Sequence, residues 1–213
     1  MSDVGERARK KSETRSALRD AALVSFATHG FSQTRIADVA ATCGVSERTF
    51  FRYFDSKEQV AVAGMEAWLE QLFVAIESLP DSYDPIEAVT AVIRQAEAGR
   101  FAFGMEEIRD AVAYATFPEV QDYFARVTDK FRQRLAADFA RRAGTDVYDP
   151  YPRVLASIIS AGMFAIIESW LRGGRGGNPW RMAREAIARV ASEFAASDLN
   201  AAWAPKPSDV AAP

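Results

Sequence analysis

The sequence predicts an all-α protein, and three observations lead there. Apolar residues recur at steps of three and four along most of the chain. No stretch sustains the apolar–polar alternation of a strand, and proline opens several of the helical patterns, where a missing N–H costs nothing. Two short helical patterns flank a tight Cys43-Gly44-Val45 turn, which gives the chain its most specific local feature.

Taken in order, residues 1–13 are polar with Arg7, Arg9, Lys10 and Lys11 clustered, and are expected to form a disordered basic arm. A functional alternative is entry of that arm into a minor groove. From Thr14 to Thr28, Leu18, Ala22 and Phe26 keep helical spacing, and Gly30 suits a C-terminal stop. The next helix starts after Thr34, placed as its cap, and buries Ile36, Val39 and Ala40. Gly44 supplies the left-handed turn, Ser46 the next N-cap, and Phe50 and Phe54 an apolar stripe facing back. Two helices joined this closely describe a helix-turn-helix.

The outward face of its second helix carries Glu47, Arg48 and Thr49 in the first turn, where a recognition helix reaches base edges. Arginine can donate twice to guanine, glutamate can accept from cytosine, and a threonine methyl can touch thymine. Arg52 and Tyr53 lie one turn further on, within reach of phosphates, and Lys57 stands at the start of the following helix. The expected DNA contacts are therefore Thr34, Arg35, Ser46, Glu47, Arg48, Thr49, Arg52, Tyr53 and Lys57.

Residues 14–60 resemble the tetracycline-repressor (TetR) family of bacterial regulators. The likeness rests on Phe26, His29-Gly30-Phe31, Asp38-Val39-Ala40, Gly44-Val45-Ser46, Thr49-Phe50, Arg52-Tyr53-Phe54 and Ser56-Lys57-Glu58. It departs at Phe51, where the family often has tyrosine, so one phosphate-bonding hydroxyl is missing. The resemblance implies a three-helix DNA-binding domain over 14–60 and a helical ligand-binding and dimerisation domain over 61–196. Its implied partners are a double-stranded palindromic operator, a second copy of the chain and a small apolar or amphipathic effector.

Beyond the motif, a long helix from Ser56 to Ser78 places Ala61, Met65, Trp68, Leu69, Leu72, Phe73 and Ile76 on its inner side and links the two domains. Further helices are expected over Pro85–Ala98, Met105–Ala115, Pro118–Ala143, Pro150–Leu171 and Pro179–Ala196. The segment Gly173–Gly177 reads as a connector, and residues 197–213, rich in Ala and Pro, as a disordered tail. The pattern from Val154 to Ile167 is apolar all round, so it needs burial on every side. Pairing the last two helices with their copies meets that need, through Ile158, Ile159, Ile166, Trp170, Ile187, Val190 and Phe194.

An aromatic-rich region follows the long helix. With the apolar-ligand pocket that the resemblance implies, it gives the expected lining Trp68, Leu72, Phe101, Phe103, Met105, Arg109, Phe124, Phe131, Met163 and Ile167. More weakly, residues 109–143 look like relatives whose ligands are fatty acyl-coenzyme A, with Arg100 and Arg109 as candidates for the acidic group.

The resemblance implies a ligand-responsive DNA-binding regulator, a repressor released from its operator by its effector; a non-regulatory helical DNA architectural protein, or a helical enzyme using the C-terminal pocket, is the alternative. The net charge of -3 conceals a division: residues 1–60 carry 10 Lys and Arg against 8 Asp and Glu, leaving 16 and 21 for the rest. One histidine and one cysteine leave no metal cluster, catalytic triad or disulfide framework to build, so no metal or cofactor is expected. The one membrane-like run, 14 uncharged residues from Val154 to Ile167, is too short to span a bilayer, and no signal peptide is expected at the charged start. A cytoplasmic location is expected.

Overall fold

The computed structural model describes residues 2–100, 113, 117–173 and 177–196. Every regular element among them is helical: α1 Ser2–His29, α2 Ile36–Thr42, α3 Glu47–Phe50, α4 Lys57–Glu77, α5 Pro85–Glu97, α6 Pro118–Ala143, α7 Pro150–Arg172 and α8 Pro179–Ala196. The helix expected over Met105–Ala115 and the tail from Ser197 lie outside the described residues.

Proline and glycine explain why α6 begins and ends where the sequence places it. Pro118 fixes a helical φ at the first position, and Gly144 adopts φ +66° just past the end, where a side chain would be strained. At α5, Asp84 accepts from the Ile86 and Glu87 amides while Glu87 receives the Asp84 amide, so the first turn is capped from both directions.

α1 corrects the expectation of a disordered arm. It is helical from Ser2, because Glu6 pairs with Lys10 and Arg9 with Glu13 at i,i+4 spacing, and the Thr14 hydroxyl donates to the Lys10 carbonyl. The domain boundary also differs. The chain divides into two compact units, Met1–Leu69 with Phe103–Val127, and Glu70–Ala102 with Thr128–Pro213. The first half of α4 belongs to the first unit because Val60, Val62, Met65 and Trp68 are buried there.

In the first unit α1 packs on α2 and α2 on α3. The core is aromatic: Phe26 meets Phe31 at 4.9 Å between ring centres, Phe31 stacks on Phe117 at 5.5 Å, and Phe50 meets Phe54 at 5.5 Å. In the second unit α8 packs against α5 and α7, and Arg184 Nε donates to Glu97 Oε2 at 3.0 Å. There too, Arg142 is wholly enclosed. It donates to Asp138 at 2.7 Å and to the carbonyls of Ile76 at 2.7 Å and Pro80 at 2.8 Å, with longer contacts to Leu79 and Tyr83. The guanidinium thus adds a donor to the last turn of α4 at Ile76 and ties down the residues that follow it.

Candidate nucleic-acid interface and ligand cavity

α2 ends in a complete Schellman turn. The Val45 amide bonds to the Ala40 carbonyl at 3.0 Å and the Gly44 amide to Ala41 at 2.9 Å, with Gly44 at φ +67°. Ser46 then caps α3, its Oγ accepting from the Thr49 amide at 3.2 Å. Phe50 is buried below, so Glu47, Arg48 and Arg52 are exposed on the other side, with Thr49 half-buried beside them. Among the described residues Glu47, Arg48 and Arg35 form no ion pair, so their polar groups remain available for a partner.

Thr49 is partly occupied: its hydroxyl lies 3.0 Å from Ser46 Oγ, leaving its methyl as the outward group. The Arg52 guanidinium sits 5.2 Å from the Tyr53 ring centre and donates to the phenolic oxygen at 3.5 Å. That contact, helped by the Thr14 hydroxyl and the charges of Arg52 and Lys11, outweighs partial burial and holds the Tyr53 phenol below its ordinary value. Phe51 exposes its ring, standing edge-on to Phe50 at 5.5 Å.

Two of the expected DNA contacts make bonds within the chain. Thr34 is buried and does not cap α2, whose N-cap is Arg35. The Thr34 hydroxyl donates to the Gly30 carbonyl at 2.9 Å and lies 3.2 Å from Ser25 Oγ, closing the α1–α2 loop. Lys57 Nζ donates to the carbonyls of Phe31 at 3.1 Å and Ser32 at 3.4 Å and lies 4.7 Å from the Phe31 ring centre. The same loop is thus tied to the start of α4.

The second unit contains an apolar cavity of about 120 Å³. Leu72, Phe131 and Met163, three of the residues expected around a ligand, are among those that line it, with Ile76 and Leu135. Of the other expected lining residues, Trp68 and Phe124 fall in the first unit and Ile167 is buried off this cavity. Phe101, Phe103, Met105 and Arg109 lie outside the described residues.

Ile158, Ile159, Ile166 and Ile187, expected at a dimer interface, line the cavity within one chain. Ile158 also reaches the surface, at 36% exposure. Trp170 is half-buried, and its indole N–H donates to the Gly177 carbonyl at 3.0 Å, clasping the connector between α7 and α8. The side chains of Val190 and Phe194 lie outside the described residues.

Comparison with known proteins matches the two ends of the chain to two family models. Residues 18–63 match the family model described as bacterial regulatory proteins, tetR family, and residues 83–195 match the MftR C-terminal domain. The chain is 31% identical over 174 residues to the transcriptional regulator TcmR of Streptomyces glaucescens, covering 78% of this chain and 76% of that protein. It is 30% identical over 169 residues to the transcriptional regulator MftR of Mycobacterium tuberculosis, covering 77% and 83%.

Among solved structures, Thermus thermophilus FadR, a repressor crystallised with lauroyl-CoA, superposes with a TM-score of 0.53 at 19% identity, covering 83% of this chain and 92% of that one. Identity that low speaks for the fold alone. With both the reading head and the helical second unit matched, the chain belongs to the TetR family of DNA-binding transcriptional regulators.

Proposed function

We propose that this regulator is a homodimeric repressor that leaves a palindromic operator when a small, uncharged apolar effector enters the second unit. The cavity lining carries this reading. Leu72, Val92, Phe131, Leu155, Met163 and their neighbours include no charged side chain among the described residues. Such a surface rewards methylene and aromatic groups, about 0.8 kcal/mol for each CH₂ buried, and leaves a buried charge without a partner. A coenzyme A headgroup would need cations, and the described lining residues offer none. A neutral hydrophobic compound fits it better.

Dimerisation is supported by α7. The helix is 23 residues long and apolar enough to match a membrane span, yet only 28% of its most apolar window is buried within the chain. Val154 is 51% exposed, and the small residues Ala161 and Ala165 also lie exposed on this helix. A second copy covers such a face and gives the assembly the two-fold symmetry of a palindrome.

Thermal unfolding with a panel of neutral apolar compounds, free fatty acids and acyl-coenzyme A species tests the effector class. At 100 times its dissociation constant an effector stabilises the fold by about 2.7 kcal/mol, or roughly 5 to 11 °C. Stabilisation by acyl-coenzyme A and by no neutral compound would overturn the uncharged class. A stabilising compound that left operator affinity unchanged would overturn release.

A further inference from the structure

The first half of α1 precedes Leu18, the first residue of the buried core. Three of its basic residues divide into two groups. Arg9 and Lys10 are held by Glu13 and Glu6, at 2.8 and 3.0 Å, on exposed turns of the helix. Lys11 forms no ion pair among the described residues. It shares a helical face with Thr14 and Leu18, at steps of three and four.

Leu18 and Ala22 are fully buried, so this face is the one turned toward the rest of the first unit. Two contacts fix where it passes. The Arg15 guanidinium lies 4.9 Å from the Phe54 ring centre, and Cys43 Sγ lies 3.5 Å from the Ala17 carbonyl. Thr14 directly precedes Arg15 and Lys11 lies one turn before it, so the face that meets Phe54 at Arg15 carries both toward the neighbouring Tyr53, in keeping with the part each takes in lowering its phenol. Arg52 and Tyr53 lie in the turn that follows α3, and Lys11 extends the same positive edge.

We infer that the N-terminal half of α1 is a preformed helical extension of the DNA-reading surface, and that Lys11 contacts the phosphate backbone beside Arg52 and Tyr53. The partner is duplex DNA, recognised through its phosphates and without regard to base sequence. A helix already folded loses less conformational entropy on binding than an arm that must order. The inference rests on DNA binding by α2 and α3, which Arg48 tests separately.

The experiment uses the full chain, a duplex it selects from a random pool, and an unrelated duplex of equal length, with fluorescence anisotropy over a salt series. Lys11→Gln should weaken binding to both duplexes by the same factor. It should also lower the slope of log K against log salt by about 0.9 for each protomer engaged. Arg9→Gln and Lys10→Gln, which remove paired charges, should change the slope by less than half as much. Equal slopes for Lys11→Gln and Lys10→Gln would show a general charge effect and overturn the contact.

Ser12→Pro provides the conformational arm of the test. Proline at the head of the remaining helix is tolerated, whereas the turns before it lose their continuity. All charges are kept, so an affinity loss matching that of Lys11→Gln is expected, and undiminished affinity would overturn the preformed helix. Arg48→Ala should instead narrow the preference between the two duplexes. If the wild-type chain selected no duplex, DNA reading and this extension would both fall. If it selected one and Lys11→Gln bound it with wild-type slope, only the extension would fall.

Discussion

Replacing Arg142 by methionine removes a cation that has no exposed side-chain surface and that faces Asp138, itself 4% exposed. The methionine fills much of the same volume, so the change is chiefly electrostatic. Breaking a buried ion pair costs about 3–5 kcal/mol, because the remaining charge stays desolvated. Arg141 still touches Asp138, which places the expected loss near the lower end, at about 3 kcal/mol. For a chain of this size that is roughly 6 to 12 °C in melting temperature.

Urea denaturation followed by circular dichroism and tryptophan fluorescence would measure it. A double variant, Arg142→Met with Asp138→Leu, should recover at least half of the loss, because no orphaned carboxylate remains. A cost below about 1 kcal/mol for Arg142→Met would refute the view that this guanidinium holds the end of α4.

Arg48→Ala should leave the melting temperature unchanged, since Arg48 is exposed and forms no ion pair within the described residues, while discrimination at one operator base falls by about 1–3 kcal/mol in anisotropy titrations. Lys57→Ala should lower both melting temperature and DNA affinity, because Nζ bonds the Phe31 and Ser32 carbonyls; an unchanged melting temperature would remove that internal role. Glu70 is held below its ordinary carboxylate value of 4.5, first by the hydrogen bond from Arg134 and then by the charges of Arg134 and Lys130. Its contribution is therefore present above that value and lost as pH falls below it, so Arg134→Gln should destabilise the chain at pH 7 and match the wild type in strong acid, a comparison made by urea midpoints across pH.

What could be read from the sequence followed from residues whose roles are local. Gly44 and Ser46 act on backbone groups within four positions, and Pro118 and Gly144 fix a helix by their own φ angles, so no knowledge of the surroundings was needed. The helical start of α1 was also legible in the Glu6–Lys10 and Arg9–Glu13 spacings, but the weight of polar residues pointed the other way. Thr34 and Lys57 depended on where the α1–α2 loop folds, which periodicity does not specify.

The isoleucines of α7 were ambiguous for a different reason. A dimer face and a cavity wall ask for the same apolar chemistry, and Ile158 and Ile166 satisfy the second within one chain. Arg142 had no signal at all. Paired arginines near a helix C-terminus are ordinarily solvated, and only the returning carbonyls of Ile76 and Pro80 enclose this one.

The clasp on the end of α4 gives that helix a mechanical asymmetry. Its held end is at Ile76, while Leu72, which faces the cavity, is one turn away and Lys57 is nineteen residues away. At 1.5 Å per residue these are arms of about 6 Å and about 28 Å. If the effector proposed above presses on Leu72, it acts on the short arm, next to the held end. Under that proposal, loosening the hold at Arg142 would blunt the response to an effector even in a chain that still folds.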